Sequence, residues 1–131
     1  MMSADLSRSP SAATVLPEPW RSDVVAALAE GETVVASLEL DLTLFLRFAS
    51  GIVVLTDRQW LAKTPGEPNW QHWKLRPGMT LQHRDHAGVG TLELLDENGL
   101  LARWHHTLGR DVALRRLTGQ FHEQILSLIH I

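Results

Sequence analysis

With 131 residues, 44% of them hydrophobic and 21% charged, the chain can build one globular core that buries roughly two-thirds of its unfolded surface, and it is too short for two. Twelve Lys and Arg stand against fifteen Asp and Glu, and this net charge of −3 lacks the basic excess that drives nucleic-acid binding through counterion release. The absence of Cys excludes disulfides, thiolate metal sites and cysteine nucleophiles, and suits a reducing compartment, so a cytoplasmic location is expected.

The first residues carry no basic stretch followed by an apolar one, so a secretory signal is not expected, and no apolar run approaches the ~18 residues of a membrane span. Residues 1–18, rich in Ser, Ala and Pro, read as a flexible leader, followed by a single domain over 19–128. A short helix is expected over 20–30, with Ser22 as its N-cap and Gly31 as its stop. The period then drops to two and strands are expected across 33–106. Leu38, Leu40 and Leu42 alternate with polar residues; a bend near Thr43 leads to a second half-buried alternation at Leu44, Leu46 and Phe48. The unbroken run Ile52, Val53, Val54, Leu55 suits a strand covered on both faces.

After a turn at 56–58 come a short strand over 59–63, a Pro- and Gly-rich loop over 64–69, a strand over 70–75, a turn at 76–78 and a strand over 79–86. The segments 90–95 and 100–105 flank Asp96, Glu97, Asn98 and Gly99, a hairpin signal because Asn-Gly tolerates the backbone of a tight turn. The last element is a helix over 110–128 whose apolar stripe is Leu114, Leu117, Phe121, Ile125 and Leu128. In its final turn Ile125, Leu126, Leu128, Ile129 and Ile131 spread apolar character around the whole circumference, as in a helix that continues or meets a partner.

Seven short strands closed by one amphipathic helix resemble the pleckstrin-homology-like fold, a bent sheet or partly open barrel plugged by its C-terminal helix. The run Ile52 to Leu61, with Leu55, Thr56, Asp57 and Arg58 at its centre, is similar to the signature of bacterial pleckstrin-homology domains, and Gly31-Glu32 resembles their opening. Gln59-Trp60 departs from the usual Arg-Leu. In physical terms Thr56 and Asp57 close a turn through side-chain to backbone bonds and Arg58 begins the return strand, a structural role. The chain also resembles the N-terminal cytoplasmic extension of bacterial ABC exporters that fuse permease and ATPase. That resemblance implies a non-enzymatic regulatory or scaffolding domain that docks proteins, either the exporter's own downstream parts or a second copy. It implies membrane association only through the fused or neighbouring protein. No phosphate-binding glycine loop occurs, so an ATPase would lie in other residues.

Inositol-lipid recognition needs Lys or Arg in the first hairpin, and Glu39, Leu40, Asp41, Leu42 and Thr43 are acidic and apolar, so no specific inositol lipid is expected. Ser37 and Ser50 lack the surroundings of a catalytic nucleophile, and nothing calls for a cofactor. The alternative function is a small-ligand or metal-binding β domain in which His83, Asp85, His86 and His105 converge. Alternation places Trp104 and Trp60 in the core and turns Trp70 and Trp73 to opposite faces. Trp70 and Trp73, with Ile125, Leu128 and Ile129 of the last helix, are therefore the partner-contact candidates, unless Trp20 packs on the first pair.

Overall fold

The computed structural model describes residues 16–107 and 109–129. A 3-10 turn at Glu18–Trp20 runs into a two-turn helix α1, Arg21–Ala27. Seven strands follow: β1 Val34–Leu42, β2 Phe48–Thr56, β3 Gln59–Lys63, β4 Gln71–Lys74, β5 Thr80–His86, β6 Val89–Asp96 and β7 Gly99–Thr107. Helix α2, Asp111–Ile129, ends the described chain. The strands form one antiparallel sheet in the order β4-β3-β2-β1-β7-β6-β5. Most of the expected leader falls outside the described residues. Leu16 within it is buried, however, so the ordered chain begins before residue 19.

The sheet is curled. Neighbouring strands lie about 4.8 Å apart, so on a flat sheet β3 and β7, three places apart, would be separated by about 14 Å. Yet the rings of Trp60 on β3 and Trp104 on β7 sit 5.8 Å apart, and Trp73 on β4 is also 5.8 Å from Trp104. Phe121 of α2 meets Trp60 edge-on at 5.6 Å. The sheet therefore wraps around one interior, filled by Leu38, Leu40, Val53, Leu55, Leu92, Leu94 and the stripe Leu114, Leu117, Phe121 and Ile125 of α2, which lies across β1 and β5. The segment from β4 to β5 closes the open side with buried Leu75 and Met79.

A second, smaller core lies on the outer face of β1 to β3, where Leu16 and Val24 cover Val34, Ile52, Val54 and Leu61. This is why Ile52 to Leu55 is apolar at every position: alternate residues serve the two cores, and all four are fully buried. Ser22 does not cap α1. The 3-10 turn after Pro17 delivers the chain into the helix at Arg21, with Trp20 in the cap position and no side-chain cap.

The larger departure is between β1 and β2. The alternation expected at Leu44, Leu46 and Phe48 is instead a hairpin connection over 43–47, with Leu44, Phe45, Leu46 and Phe48 all more than half exposed. The register pairs Leu42 with Phe48, so the chain has already turned before the second alternation can reach the core.

Candidate functional site

The hairpin tip is held open from within. The Thr43 amide donates to the Arg47 carbonyl at 2.8 Å and the Leu46 amide donates to the Thr43 carbonyl at 2.9 Å. The Thr43 hydroxyl oxygen accepts from the amides of Phe45 and Arg47 at 3.2 and 3.1 Å. Leu46 adopts a left-handed backbone, φ 64°. These bonds fix the loop without burying its side chains, and Phe45 (85% exposed) and Phe48 (81%) project into solvent beside Leu44 and Leu46. Exposed apolar side chains gathered on an element of fixed backbone make the tip a candidate contact surface.

Below the tip runs the narrow seam between the two halves of the sheet. Among the described residues β1 and β7 are in register only at Leu42 and His105. Asp41 reinforces that rung: its carboxylate accepts from the Thr107 amide at 2.8 Å, the Thr107 hydroxyl at 2.5 Å and the Arg110 guanidinium at 3.3 Å. Burial would raise the Asp41 pKa, but the Thr107 bonds and the Arg110 charge outweigh it and hold the carboxyl below its ordinary range.

Against the β7 side of the seam lies a pair of imidazoles. His106 is 1% exposed, and its ring occupies the space over Gly90 of β6, where a Cβ would collide with the ring carbon Cε1. Its Nδ1 is 2.8 Å from the Thr107 carbonyl and its Nε2 is 3.2 Å from His83 Nε2. His83 also stands 3.3 Å from Asp85. Burial lowers the His83 pKa; Asp85 and Asp111 oppose that and His106 adds to it. His105 points to the reverse face, where its Nδ1 meets the Thr91 hydroxyl at 3.1 Å, and its pKa is lowered by burial, then by the Arg103 charge.

The set His83, Asp85, His86 and His105 therefore does not converge. His105 and His106 alternate across β7, which turns His105 away, and His86 is exposed at the end of β5. Among the described residues no group of three or more His, Asp or Glu is placed to hold a metal ion. The sequence pointed to a histidine on β7 but to the wrong neighbour. The signal that finds His106 is Gly90, opposite it in register, since a residue without a side chain leaves room for a ring.

The other candidates divide. Trp70 is half-buried edge-on against Trp20, 6.4 Å between rings, and Trp73 lies on Trp104 inside the curl, so both rings already have partners within the chain. Ile125 is a buried core residue, Leu128 packs half-buried against the same core, and Ile129 is 57% exposed. Ile131 lies outside the described residues.

Thr56, Asp57 and Arg58 form a structural knot. The Thr56 hydroxyl accepts from the amides of Arg58 and Gln59 and donates to buried Glu32 at 2.5 Å. Asp57 accepts from the Thr33 amide, and Arg58 donates to the Glu30 carbonyl. Burial would raise the Glu32 pKa, but bonds from Thr56, the Ala29 amide and Gln59 hold it below its ordinary value. On the outer sheet face, Arg103 and Arg84 do the same for Glu93.

A pH dependence follows, with the sign set by these shifts. His83 and His105 bind protons more readily unfolded than folded, so their contribution is complete above about 6.5 and is lost as pH falls towards their folded values. Glu32, Asp41 and Glu93 are also lowered, and their contribution is lost as pH falls through their depressed folded values, beginning near the ordinary carboxylate range. Urea midpoints measured from pH 8 to 3 should fall in two stages, beginning near 6.5 and near 4.5. A flat profile between 7 and 5 would contradict the histidine assignment.

Among the described residues no helix is long and apolar enough to cross a membrane. Comparison with known protein families, with curated proteins and with solved structures finds no match.

Proposed function

We propose that the chain is a non-enzymatic docking domain of pleckstrin-homology-like architecture, the cytoplasmic N-terminal module of a fused permease and ATPase exporter, whose contact surface is the apolar tip between β1 and β2. The strand order, the curl and the interior helix support the architectural part of this reading. The observation that carries the docking part is the tip. Leu44, Phe45, Leu46 and Phe48 stay exposed on a loop whose backbone is already fixed by Thr43, so a partner gains apolar burial without having to order the loop. Burial of each such side chain is worth roughly 1.5–3 kcal/mol before the cost of association. The partner is a protein with an apolar groove, and the exporter's ATPase or coupling helices are the first to test.

The double substitution Phe45→Asp, Phe48→Asp removes no packed side chain, so the urea midpoint should shift by no more than about 0.5 kcal/mol equivalent. The reading frame holding this chain should encode membrane spans and a phosphate-binding loop. Calorimetric titration of the ATPase so encoded should show binding to the wild type and a loss of tenfold or more with the double variant. Equal binding by both chains would remove the tip as the contact surface, and a frame without those elements would remove the exporter assignment.

A further inference from the structure

The outer face of β5, β6 and β7 gathers positive charge in a chain whose net charge is −3. Strand alternation places Gln82 and Arg84 of β5, Thr91 and Glu93 of β6, and Arg103 and His105 of β7 on that face. Register brings them together: Gln82, Glu93 and Arg103 form one row across the three strands, and Arg84, Thr91 and His105 form the next. Glu93 is the one carboxylate among these side chains, and at 6% exposed it lies beneath its neighbours. Asp85 alternates to the other face, 3.3 Å from His83, and Asp96 at the end of β6 is held by Arg76 at 2.6 Å.

Two guanidiniums meet over the buried carboxylate. The Arg84 Nη2 donates to Glu93 Oε2 at 3.0 Å and the Arg103 Nε donates to the same oxygen at 2.9 Å, so the two nitrogens stand within about 6 Å of each other. One negative charge balances only one of the two positive ones. Among the described residues each guanidinium forms an ion pair with Glu93 alone, and the Arg84 and Arg103 side chains are 65% and 45% exposed, so most of their N–H donors face solvent.

A free arginine loses side-chain entropy when a ligand fixes it. Here Glu93 has fixed both, on regular strands, and the adjoining row is occupied by the Thr91 hydroxyl and the His105 ring, 3.1 Å apart. Guanidinium forks held in place suit the planar, bidentate recognition of carboxylates. The outside of a curled sheet is convex, which suits a segment laid across it better than an enclosed small molecule. We propose that this face is a second docking surface, independent of the hairpin tip, on which Glu93 positions Arg84 and Arg103 to grip the carboxylates of an acidic segment of a partner protein.

Nuclear magnetic resonance titration of the full chain with a peptide of six glutamates tests it. At low salt the amides of 82–84, 91–93 and 103–105 should shift saturably, and the affinity should fall several-fold as salt is raised to about 0.15 M. Arg84→Gln should weaken binding fivefold or more with little change in the urea midpoint, because exposed ion pairs contribute little to folding. Arg115→Gln, the same loss of charge on the exposed side of α2, should leave binding unchanged. Glu93→Gln keeps an acceptor for the guanidiniums and Glu93→Ala does not, so Glu93→Ala should bind the peptide at least threefold more weakly than Glu93→Gln, although both lack the charge. No saturable shift, shifts centred on another face, equal losses in Arg84→Gln and Arg115→Gln, or equal binding by the two Glu93 variants would each overturn the proposal. So would tighter binding at this face of inorganic phosphate, or of vesicles carrying anionic phospholipid, than of the peptide. The test of the tip rests on Phe45 and Phe48, outside these three strands, so the two proposals fall separately.

Discussion

Trp104→Ala is expected to cost about 3–5 kcal/mol, the range for truncating a buried large aromatic and much of the total stability of an ordinary domain. Trp104 is 1% exposed and holds the curl together, since its ring touches Trp60 from β3 and Trp73 from β4 at 5.8 Å each. Its indole N–H also donates to the Thr64 hydroxyl at 3.0 Å, which ties β7 to the loop after β3. Truncation would leave a void between two arms of the sheet that no nearby side chain fills, and Thr64, itself buried, would lose a partner. Urea unfolding followed by far-ultraviolet circular dichroism measures the loss. Trp104→Phe keeps most of the ring and drops the indole bond, so it should cost clearly less; equal costs for the two variants would show that packing across the curl contributes little.

Asp41→Ala should be the second most damaging change, at about 2–4 kcal/mol. Two bonds to Thr107 and one to Arg110 end on this carboxylate, and bonds to a charged group contribute about 1.5–3 kcal/mol each when not fully exposed. They also secure what is, among the described residues, the narrowest pairing in the sheet, a single rung between β1 and β7, whereas β6 and β7 pair over eight. Asp41→Asn retains an acceptor for the Thr107 amide and should recover part of the loss. The loss should also shrink as the pH of the measurement is lowered through the depressed pKa of Asp41, because the wild type then loses the same charge. A cost of Asp41→Ala that is constant from pH 7 to pH 3 would show that its charge contributes nothing at the seam.

Strand identity was legible wherever alternation met turn residues. β3 and the stripe of α2 follow directly from spacing, and the doubly apolar β2 announced a strand covered on both sides. Leu44, Leu46 and Phe48 show the limit of such reading. Alternating apolar residues signal a buried face only if the strand continues, and here Thr43 and a left-handed Leu46 turn the chain back first. The three positions that suggested a buried face are, with Phe45, the exposed surface. The tryptophans divide differently: Trp70 and Trp73 do face opposite ways, and the alternative in which Trp20 packs there holds for Trp70, whereas Trp73 is covered by Trp104 across the curl, a contact that spacing does not show. The histidine pair needed the register of β6 on β7, because only the pairing of Gly90 with His106 shows where a ring can lie.

The seam also has a kinetic meaning. Every other pairing in the sheet joins strands adjacent in the chain, so each half is a meander that closes over short loops. The grip of Thr107 on Asp41 spans 66 residues, and a closure that long pays its entropy before any contact rewards it. It should therefore form after the folding barrier has been crossed, and Asp41→Ala should act almost wholly on the unfolding rate, with the folding limb of the chevron nearly unmoved. The halves would assemble as separate hairpin sheets, and the junction that fixes their relation would be the last made and the first undone.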